Sequence, residues 1–299
     1  MSTRDDALVR AMPAVFVLIW STGFIVARYG MPYAPPMKFL ALRYAVSVLC
    51  FAVWAFAARA AWPSDREQWK HLAVTGVLMH AGYLGGVWAA VKLGMGAGLA
   101  ALLVGLQPVL TAVWISSRGG AVSSRQWSGL VLGFLGLALV VWHKLGVGEI
   151  NQANVLLALL ALLSITAGTL YQKRYLAPCD VRTANLAQLA AAFVVTLPLA
   201  LLETEAVQWN GQLLGALAWS VLALTLGGSS LLYLLIQRGA ATAVTSLLYL
   251  VPPCTALMAW LLFDEAISFS TVVGMGLAAV GVSLVVRPTV RVPAAGAAR

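Results

Sequence analysis

Apolar stretches long enough to cross a lipid bilayer follow one another along nearly the whole chain. A membrane-spanning helix needs about 20 consecutive, mostly apolar residues. Of the 299 residues, 61% are hydrophobic and only 10% are charged, whereas a soluble domain carries about a quarter charged residues. The sequence therefore predicts an all-α integral membrane protein, with no room for a separate soluble domain.

Ten transmembrane helices are predicted from these stretches, and the connections between them are short. The first stretch lacks a small-residue cleavage site and is expected to remain as the first span. The three cysteines show no spacing typical of a metal site, and no cofactor is predicted. The spans cover roughly 10–29, 36–58, 69–91, 96–116, 124–142, 153–173, 184–203, 212–237, 241–263 and 268–286.

Basic residues are distributed unevenly between the two sides of the predicted membrane. With the N-terminus placed in the cytoplasm, 14 of the 19 Lys and Arg residues fall in inner segments and four in outer ones, while Arg43 lies within a span. Cytoplasmic loops carry an excess of Lys and Arg. The net charge of +9 therefore indicates a topology with both termini cytoplasmic, rather than a nucleic-acid partner.

The second half of the chain repeats features of the first half 145 residues later. An internal duplication predicts two repeats, 1–147 and 148–299, with five helices each. Because five is odd, the second repeat is expected to be inverted in the membrane. The most informative matches are those of glycine and proline, namely Gly94 with Gly239, Pro108 with Pro253, Gly129 with Gly274, and Gly136 with Gly281.

Prolines interrupt the fourth and ninth spans at corresponding places. Pro108 lies in the fourth span, and Pro252 and Pro253 lie in the ninth. Proline removes the hydrogen bond to the carbonyl four residues earlier, and paired interruptions are typical of transporter binding sites. We therefore predict helix breaks that take part in gating beside a substrate path, with a simple packing kink as the alternative.

Several side chains deep within the spans are candidates for substrate contact. A charge at the centre of a span costs at least about 2.5 kcal/mol, so Arg43 needs an explanation. Its side chain either snorkels to the outer boundary or binds a substrate carboxylate. His80 forms either a structural hydrogen bond or part of a cavity. Trp20 either packs or walls that cavity, while Ser21 could simply bond to its own helix.

A polar stripe marks the eighth span and continues into the ninth. Thr225, Ser229, Tyr233 and Gln237 recur every four residues and so share one helical face. Such a face is expected to line protein or water rather than lipid. The predicted substrate-binding residues are Trp20, Ser21, Arg43, His80, Tyr83, Ser164, Ser229, Tyr233, Ser246 and Tyr249.

Spans 5 and 10 differ from the others because they carry small residues and few polar ones. Gly129, Gly133 and Gly136 recur in the fifth span, and Gly274, Ala278 and Gly281 recur in the tenth. Small residues at this spacing let helix backbones approach closely. These spans are predicted to serve packing or a homo-oligomer contact.

Motifs along nearly the whole chain resemble the EamA-type members of the drug/metabolite transporter superfamily. They are Trp20-Ser-Thr-Gly-Phe24, Arg43, Val251-Pro-Pro253, Phe263-Asp-Glu265-Ala-Ile, and the glycines from Gly274 to Gly281. The resemblance implies two five-helix repeats, a central cavity, peripheral spans 5 and 10, and a bacterial inner membrane. One departure is that the first half has Gly119-Gly120 where the second has Asp264-Glu265, so any carboxylate role belongs to one half.

The acidic residues all lie in tails, loops or span ends. This placement argues against export of cationic drugs, which often needs a deep carboxylate. A single deep Arg also argues against phosphorylated sugars, which need several basic groups. What remains is a neutral or zwitterionic solute with apolar parts.

The chain most resembles bacterial exporters of aromatic amino acids, and this resemblance implies export. We expect a non-enzymatic inner-membrane exporter of aromatic and other neutral amino acids and similar metabolites, working by alternating access. Export of other small metabolites or drugs, or a channel-like facilitator, stays open. A membrane enzyme is disfavoured, because the spans contain neither paired aspartates nor an HExxH motif.

Overall fold

The computed structural model describes residues 3–119, 123–145, 150–228, 231 and 250–286. Within these ranges every regular element is helical and no strand occurs. In chain order the helices are α1 (Thr3–Gly30), α2 (Pro36–Ala57), α3 (Arg66–Lys92), α4 in two segments (Ala97–Val104 and Gln107–Ser117), α5 (Ser124–Leu145), α6 (Gln152–Tyr175), α7 (Val181–Leu202), α8 (Gly211–Gly228), α9 (Val251–Phe263) and α10 (Phe269–Val286).

Six of these helices are long and apolar enough to cross a membrane, namely α2, α3, α5, α6, α7 and α8. Shorter apolar helices lie within α1, α4, α9 and α10, among the residues that the structure describes. The predicted end of span 8 and the start of span 9 fall outside those residues. The described part of the chain is therefore an all-helical membrane architecture, and the count of ten spans stays a prediction.

Side-chain oxygens cap several helix starts. Asn151 accepts the N–H of Asn154 in a reciprocal capping box that opens α6, and Asn210 accepts the N–H of Leu213 at the start of α8. Such caps satisfy N–H groups that have no partner within the helix. Asp180 caps α7, and its hydrogen bonds with Arg182 hold the pKa of that carboxyl below its usual range.

Helix boundaries recur at the 145-residue separation found in the sequence. The starts of α2 and α7 are related in this way, as are their ends, the starts of α3 and α8, and the starts of α5 and α10. The pairs are Pro36 with Val181, Ala57 with Leu202, Arg66 with Gly211, and Ser124 with Phe269.

The helices pack mainly across the boundary between the two halves. Helix α2 packs on α7, α5 on α10, and the first segment of α4 on α9. Helix α1 packs on α8, and α3 packs on α6. Each of these contacts joins one helix from residues 3–145 to one from residues 150–286, so the halves form a common core.

Glycines bring α5 and α10 into backbone contact. A Cβ atom on Gly136 would lie 2.4 Å from the carbonyl oxygen of Gly274, and one on Gly281 would lie 2.5 Å from that of Gly129. A side chain at either position would push the helices apart. The small residues of spans 5 and 10 are thus used within one chain, and a homo-oligomer through these spans, which stays a prediction, would need their outer faces.

Among the residues that the structure describes, three helices depart from regular α geometry. Helix α4 is interrupted between Val104 and Gln107, just before Pro108. Helices α3 and α8 contain π-helical segments at Val77–Gly82 and Ser220–Gly228, and these overlap when 145 is added to the first. Such wide turns are rare in proteins overall, but those that occur are often found at functional sites. The space between α3 and α8 is therefore a candidate site.

Acidic residues of the second half contact the ends of helices of the first half. The carboxylate of Glu203 accepts the backbone N–H groups of Met37 and Lys38 at 2.9 and 2.8 Å. Glu205 pairs with Lys92 at 2.6 Å. Glu265 accepts the N–H of Ala97 at 3.2 Å and lies 3.8 Å from Arg28. The carboxylate that distinguishes the halves in sequence therefore ties them together.

Candidate substrate cavity

A cavity of about 110 Å³ lies between the two halves. Its walls come from α1, α2 and α3 of the first half and from α6, α7 and α8 of the second. A single water molecule needs roughly 10–15 Å³ by the same measure, so the cavity has room for a small organic solute. The two π-helical segments contribute to opposite walls.

Four of the predicted contact residues meet in this cavity. Trp20 reaches it from α1, Arg43 from α2, and His80 and Tyr83 from α3. Arg43 and Tyr83 are buried, whereas Trp20 and His80 are half-buried. Residues that lie far apart in the sequence are thus brought together around one space.

Arg43 does not snorkel to the membrane boundary. Its side chain is only 7% exposed, and its Nε and Nη2 atoms donate to the hydroxyl of Thr225 at 3.3 and 3.1 Å. Thr225 in turn donates to the carbonyl oxygen of Ser220 at 2.8 Å. The guanidinium is therefore held inside the protein by a neutral group on the opposite half.

His80 lies in the cavity wall close to Tyr44. The hydroxyl of Tyr44 donates to the His80 carbonyl oxygen at 2.9 Å, and the Tyr44 and His80 rings meet edge to face at 6.3 Å. Gln188 on α7 lies near the His80 side chain. The structure therefore places His80 in the cavity wall, while a role in transport stays a prediction.

Polar residues face one another across the boundary between the halves at equivalent positions. Arg43 and Thr225, which are hydrogen bonded, form one pair, and His80 with the neighbouring Gln188 forms the other. Adding 145 converts Arg43 into Gln188 and His80 into Thr225. The pairs share their places in the fold, but only Arg43 carries a fixed positive charge.

Two predicted contact residues lie beside the cavity rather than in its wall. The buried hydroxyl of Ser21 donates to the Val17 carbonyl of its own helix at 2.8 Å. Ser164 is buried where α6 meets α3, and a Cβ atom on Gly82 would lie 2.7 Å from its Oγ. Ser229, Tyr233, Ser246 and Tyr249 lie outside the described residues.

The helix-breaking prolines are placed away from the central cavity wall. Pro252 and Pro253 occupy the first turn of α9 and border a smaller void beside α10. A Cβ atom on Gly105 would lie 3.1 Å from the Pro252 ring, so the interruption of α4 packs against the start of α9. Pro108 follows that interruption in the second segment of α4.

The wall also contains residues that the sequence did not single out as site residues. Tyr44 and Trp88 line the cavity, and the Trp88 ring stacks on Phe39 with centroids 4.4 Å apart. Thr225 belonged to the predicted polar stripe of the eighth span, and this pattern could have assigned it to the cavity wall. For Tyr44 the available signal was its position next to Arg43.

The cavity combines aromatic surface with one cation and a few neutral polar groups. Among the described residues, its wall includes no Asp or Glu. Such a site can hold an apolar or aromatic body against Trp20, Tyr83 and Trp88, while Arg43 can take an anionic group. The chemistry points to solute binding.

A second space, of about 310 Å³, is a groove between α1 and α8. Thr22, Tyr29 and Trp219 border it, and Trp219 is 47% exposed. The equivalent place between α3 and α6 is filled, because the His71 ring stacks on Tyr175 and hydrogen bonds to Tyr171 at 2.8 Å. This groove is open to the surroundings of the protein, whereas the smaller central cavity lies between the halves. The central cavity is therefore the better candidate site.

A family profile described as the EamA-like transporter family matches the chain twice, over residues 11–142 and 152–287. The chain belongs to the EamA-like transporter family. It is thus a membrane transporter, and the cavity between its halves is the candidate transport site.

Full-length relatives of this EamA-like transporter are named transporters. The "Uncharacterized transporter YvbV" of Bacillus subtilis is 27% identical over 280 residues, which cover 91% of this chain and 89% of that protein. The "Uncharacterized inner membrane transporter YedA" of Escherichia coli K12 is 24% identical over 287 residues, covering 94% and 92%. These relatives support membrane transport without naming a solute.

Two relatives, from Salmonella typhimurium and from Escherichia coli K12, carry a substrate class in their names. The "Probable amino-acid metabolite efflux pump" of Salmonella typhimurium is 26% identical over 178 residues, covering 58% of this chain and 55% of that protein.

A protein of known crystal structure aligns with a TM-score of 0.65 at 16% identity, over 91% of this chain and 94% of that one. That structural likeness extends over nearly the whole fold.

Proposed function

We propose that this EamA-like transporter exports aromatic and other neutral amino acids and similar metabolites by alternating access through the central cavity. The observation that carries the proposal is the arrangement of Arg43 among Trp20, Tyr83 and Trp88. An amino acid offers a carboxylate to Arg43, and an aromatic amino acid also offers a ring to Trp20, Tyr83 and Trp88. The efflux-pump name of the Salmonella relative agrees with this choice.

Charge in the cavity supports a neutral or zwitterionic solute over other classes. The described wall has no carboxylate to neutralise a cationic drug and only Arg43 as a fixed cation. A sugar phosphate carries about two negative charges and is usually held by several basic groups. An amino acid requires one such partner, and its ammonium can be met by neutral oxygens of the wall.

An inverted-repeat arrangement would supply the motion. The recurrence of helix boundaries and of inter-half contacts supports two five-helix repeats, 1–147 and 148–299, that rock about the cavity. In this proposal both termini are cytoplasmic, and the ties of Glu203, Glu205 and Glu265 close the outer side. The paired breaks at Pro108 and at Pro252–Pro253 then permit movement of α4 and α9, while Ser229, Tyr233, Ser246 and Tyr249 line the path.

Counterflow in proteoliposomes tests this function. The protein is reconstituted with unlabelled phenylalanine or threonine inside, and uptake of the labelled amino acid is followed against protein-free liposomes. We expect saturable uptake stimulated by the internal amino acid, which a channel-like facilitator would not give. Absence of flux for every amino acid, together with flux for a phosphorylated sugar, would refute the proposal.

A further inference from the structure

The Arg43 guanidinium is under-partnered for a buried cation. It has five N–H donors, yet its described hydrogen bonds run from Nε and Nη2 to one hydroxyl oxygen, that of Thr225. Buried charges are normally paired with an opposite charge, and within the described residues no carboxylate lies within ion-pair distance of Arg43. The cavity therefore retains capacity for an anion.

A carboxylate is a better partner for this group than a threonine hydroxyl. Arginine and carboxylate form two parallel charge-assisted hydrogen bonds, which are about twice as strong as hydrogen bonds between neutral groups. A single hydroxyl oxygen can accept only at one point, and the two bonds it takes here are long, at 3.3 and 3.1 Å. A solute carboxylate that enters the cavity would therefore displace Thr225 from Arg43.

Thr225 is suited to such an exchange because a second contact holds it. Its hydroxyl donates to the Ser220 carbonyl oxygen at 2.8 Å, within the π-helical segment of α8. If Arg43 turns to another acceptor, the Thr225 side chain therefore stays in place, and its oxygen loses only the hydrogen bonds from Arg43. At the equivalent positions, Gln188 and His80 carry no fixed charge, so a carboxylate has less reason to bind there.

We propose that Thr225 is a placeholder for the substrate carboxylate on Arg43. Binding of a carboxylate releases the Arg43–Thr225 bridge, and with it the hydrogen bonds that join α2 of the first half to α8 of the second. The carrier thereby selects solutes with one carboxylate, and occupancy of the site loosens a polar contact between the halves. The inference rests on the proposed function and deepens it, with Thr225 as a positioning residue.

Calorimetric titration of the purified protein in lipid nanodiscs tests the exchange with three probes. These are phenylalanine, 3-phenylpropionate, which lacks the amine, and phenylethylamine, which lacks the carboxylate. We expect both carboxylates to bind at least about tenfold more tightly than the amine, since hydrogen bonds to charged groups are worth roughly 1.5–3 kcal/mol. Arg43→Gln is expected to remove that preference, and Arg43→Lys to keep part of it.

The placeholder role makes a separate prediction for Thr225. Thr225→Val removes the competing acceptor, so both carboxylates should bind about tenfold more tightly, while phenylethylamine binding stays within twofold. The matched control Thr225→Ser keeps the hydroxyl and should behave like the parent protein. Thermal melting of each variant checks that the fold is retained.

Several outcomes would overturn the exchange. One is equal binding of the acid and the amine by the parent protein, and another is a Thr225→Val change that affects all three probes alike. Carboxylate-selective binding without phenylalanine flux would count against amino-acid export but would uphold the exchange at Arg43. The failures of the two proposals are therefore distinguishable.

Discussion

The two walls of the cavity occupy equivalent positions in the halves but differ in chemistry. At four pairs of positions separated by 145 residues, both members line the cavity. In the first half the four residues are Trp20, Tyr44, Met79 and His80, and in the second they are Ile165, Leu189, Leu224 and Thr225. The first wall is aromatic and titratable, whereas the second is mostly aliphatic.

The packing that supports the walls, by contrast, is alike in the two halves. Gly23 receives the Leu224 side chain, and its counterpart Gly168 receives Met79. The contact of Gly136 with Gly274 is matched by that of Gly281 with Gly129. The backbone frame is thus repeated while the recognition surface is one-sided, so frame and wall should respond differently to substitution.

The largest effect is expected in the frame and should be equal in the halves. Gly136→Leu and Gly281→Leu each place a side chain against a backbone oxygen less than 3 Å away, and overpacking costs about 1–3 kcal/mol or more. Both variants should lose most of the folded protein in size-exclusion chromatography. Gly276→Leu is the matched control, because a Cβ there meets nothing within 4 Å. Unequal losses at the two sites would break the equivalence.

The next effect is expected at the first wall. His80→Ala removes a polar side chain from the cavity wall and should lower amino-acid counterflow roughly tenfold, which corresponds to about 1.4 kcal/mol, while abundance in the membrane is unchanged. Counterflow is measured across a range of pH values. Unchanged flux and an unchanged pH profile would assign His80 a purely structural role.

A smaller, solute-dependent effect is expected when one wall is made like the other. Trp20→Ile installs the residue found at the equivalent position 165 and removes an aromatic contact worth roughly 0.5–1.5 kcal/mol. The half-saturation concentration for phenylalanine should rise about fivefold, while that for threonine should change less than twofold. An equal change for both amino acids would contradict aromatic recognition by Trp20.

The smallest effect is expected where the walls already agree in chemistry. Met79→Leu copies Leu224, and volume-conserving apolar exchanges usually cost less than about 1.5 kcal/mol. Counterflow and thermal stability should both stay close to those of the parent protein. A fall in counterflow beyond twofold would show that Met79 contributes more than apolar volume.

The helices and several cavity residues could be predicted because membrane insertion leaves strong signals. Apolar runs indicated the spans. The penalty for a charge within a span singled out Arg43, and the depth of His80 within its span singled out that histidine; the structure brings both into one cavity. The serines were harder to place, since a hydroxyl can bond to its own helix. Ser21 does so at 2.8 Å, and no sequence pattern distinguishes that outcome from solute contact.

The π-helical segments and the partners across the halves could not be predicted. A π turn depends on competition between backbone hydrogen bonds that packing decides, and Val77–Gly82 carries no proline to mark it. The bridge from Arg43 to Thr225 joins residues 182 positions apart. Neither residue carries a signal of the other in the sequence.

The paired π-helical segments also bear on the history of the chain. A π turn closes its hydrogen bonds one residue further along the chain than an α turn does. Val77–Gly82 and Ser220–Gly228 lie at matching places. If the two halves arose by duplication, one widened turn in the ancestral half would account for both. The shape of the cavity would then be older than its chemistry, and later divergence would have altered the side chains of an inherited space.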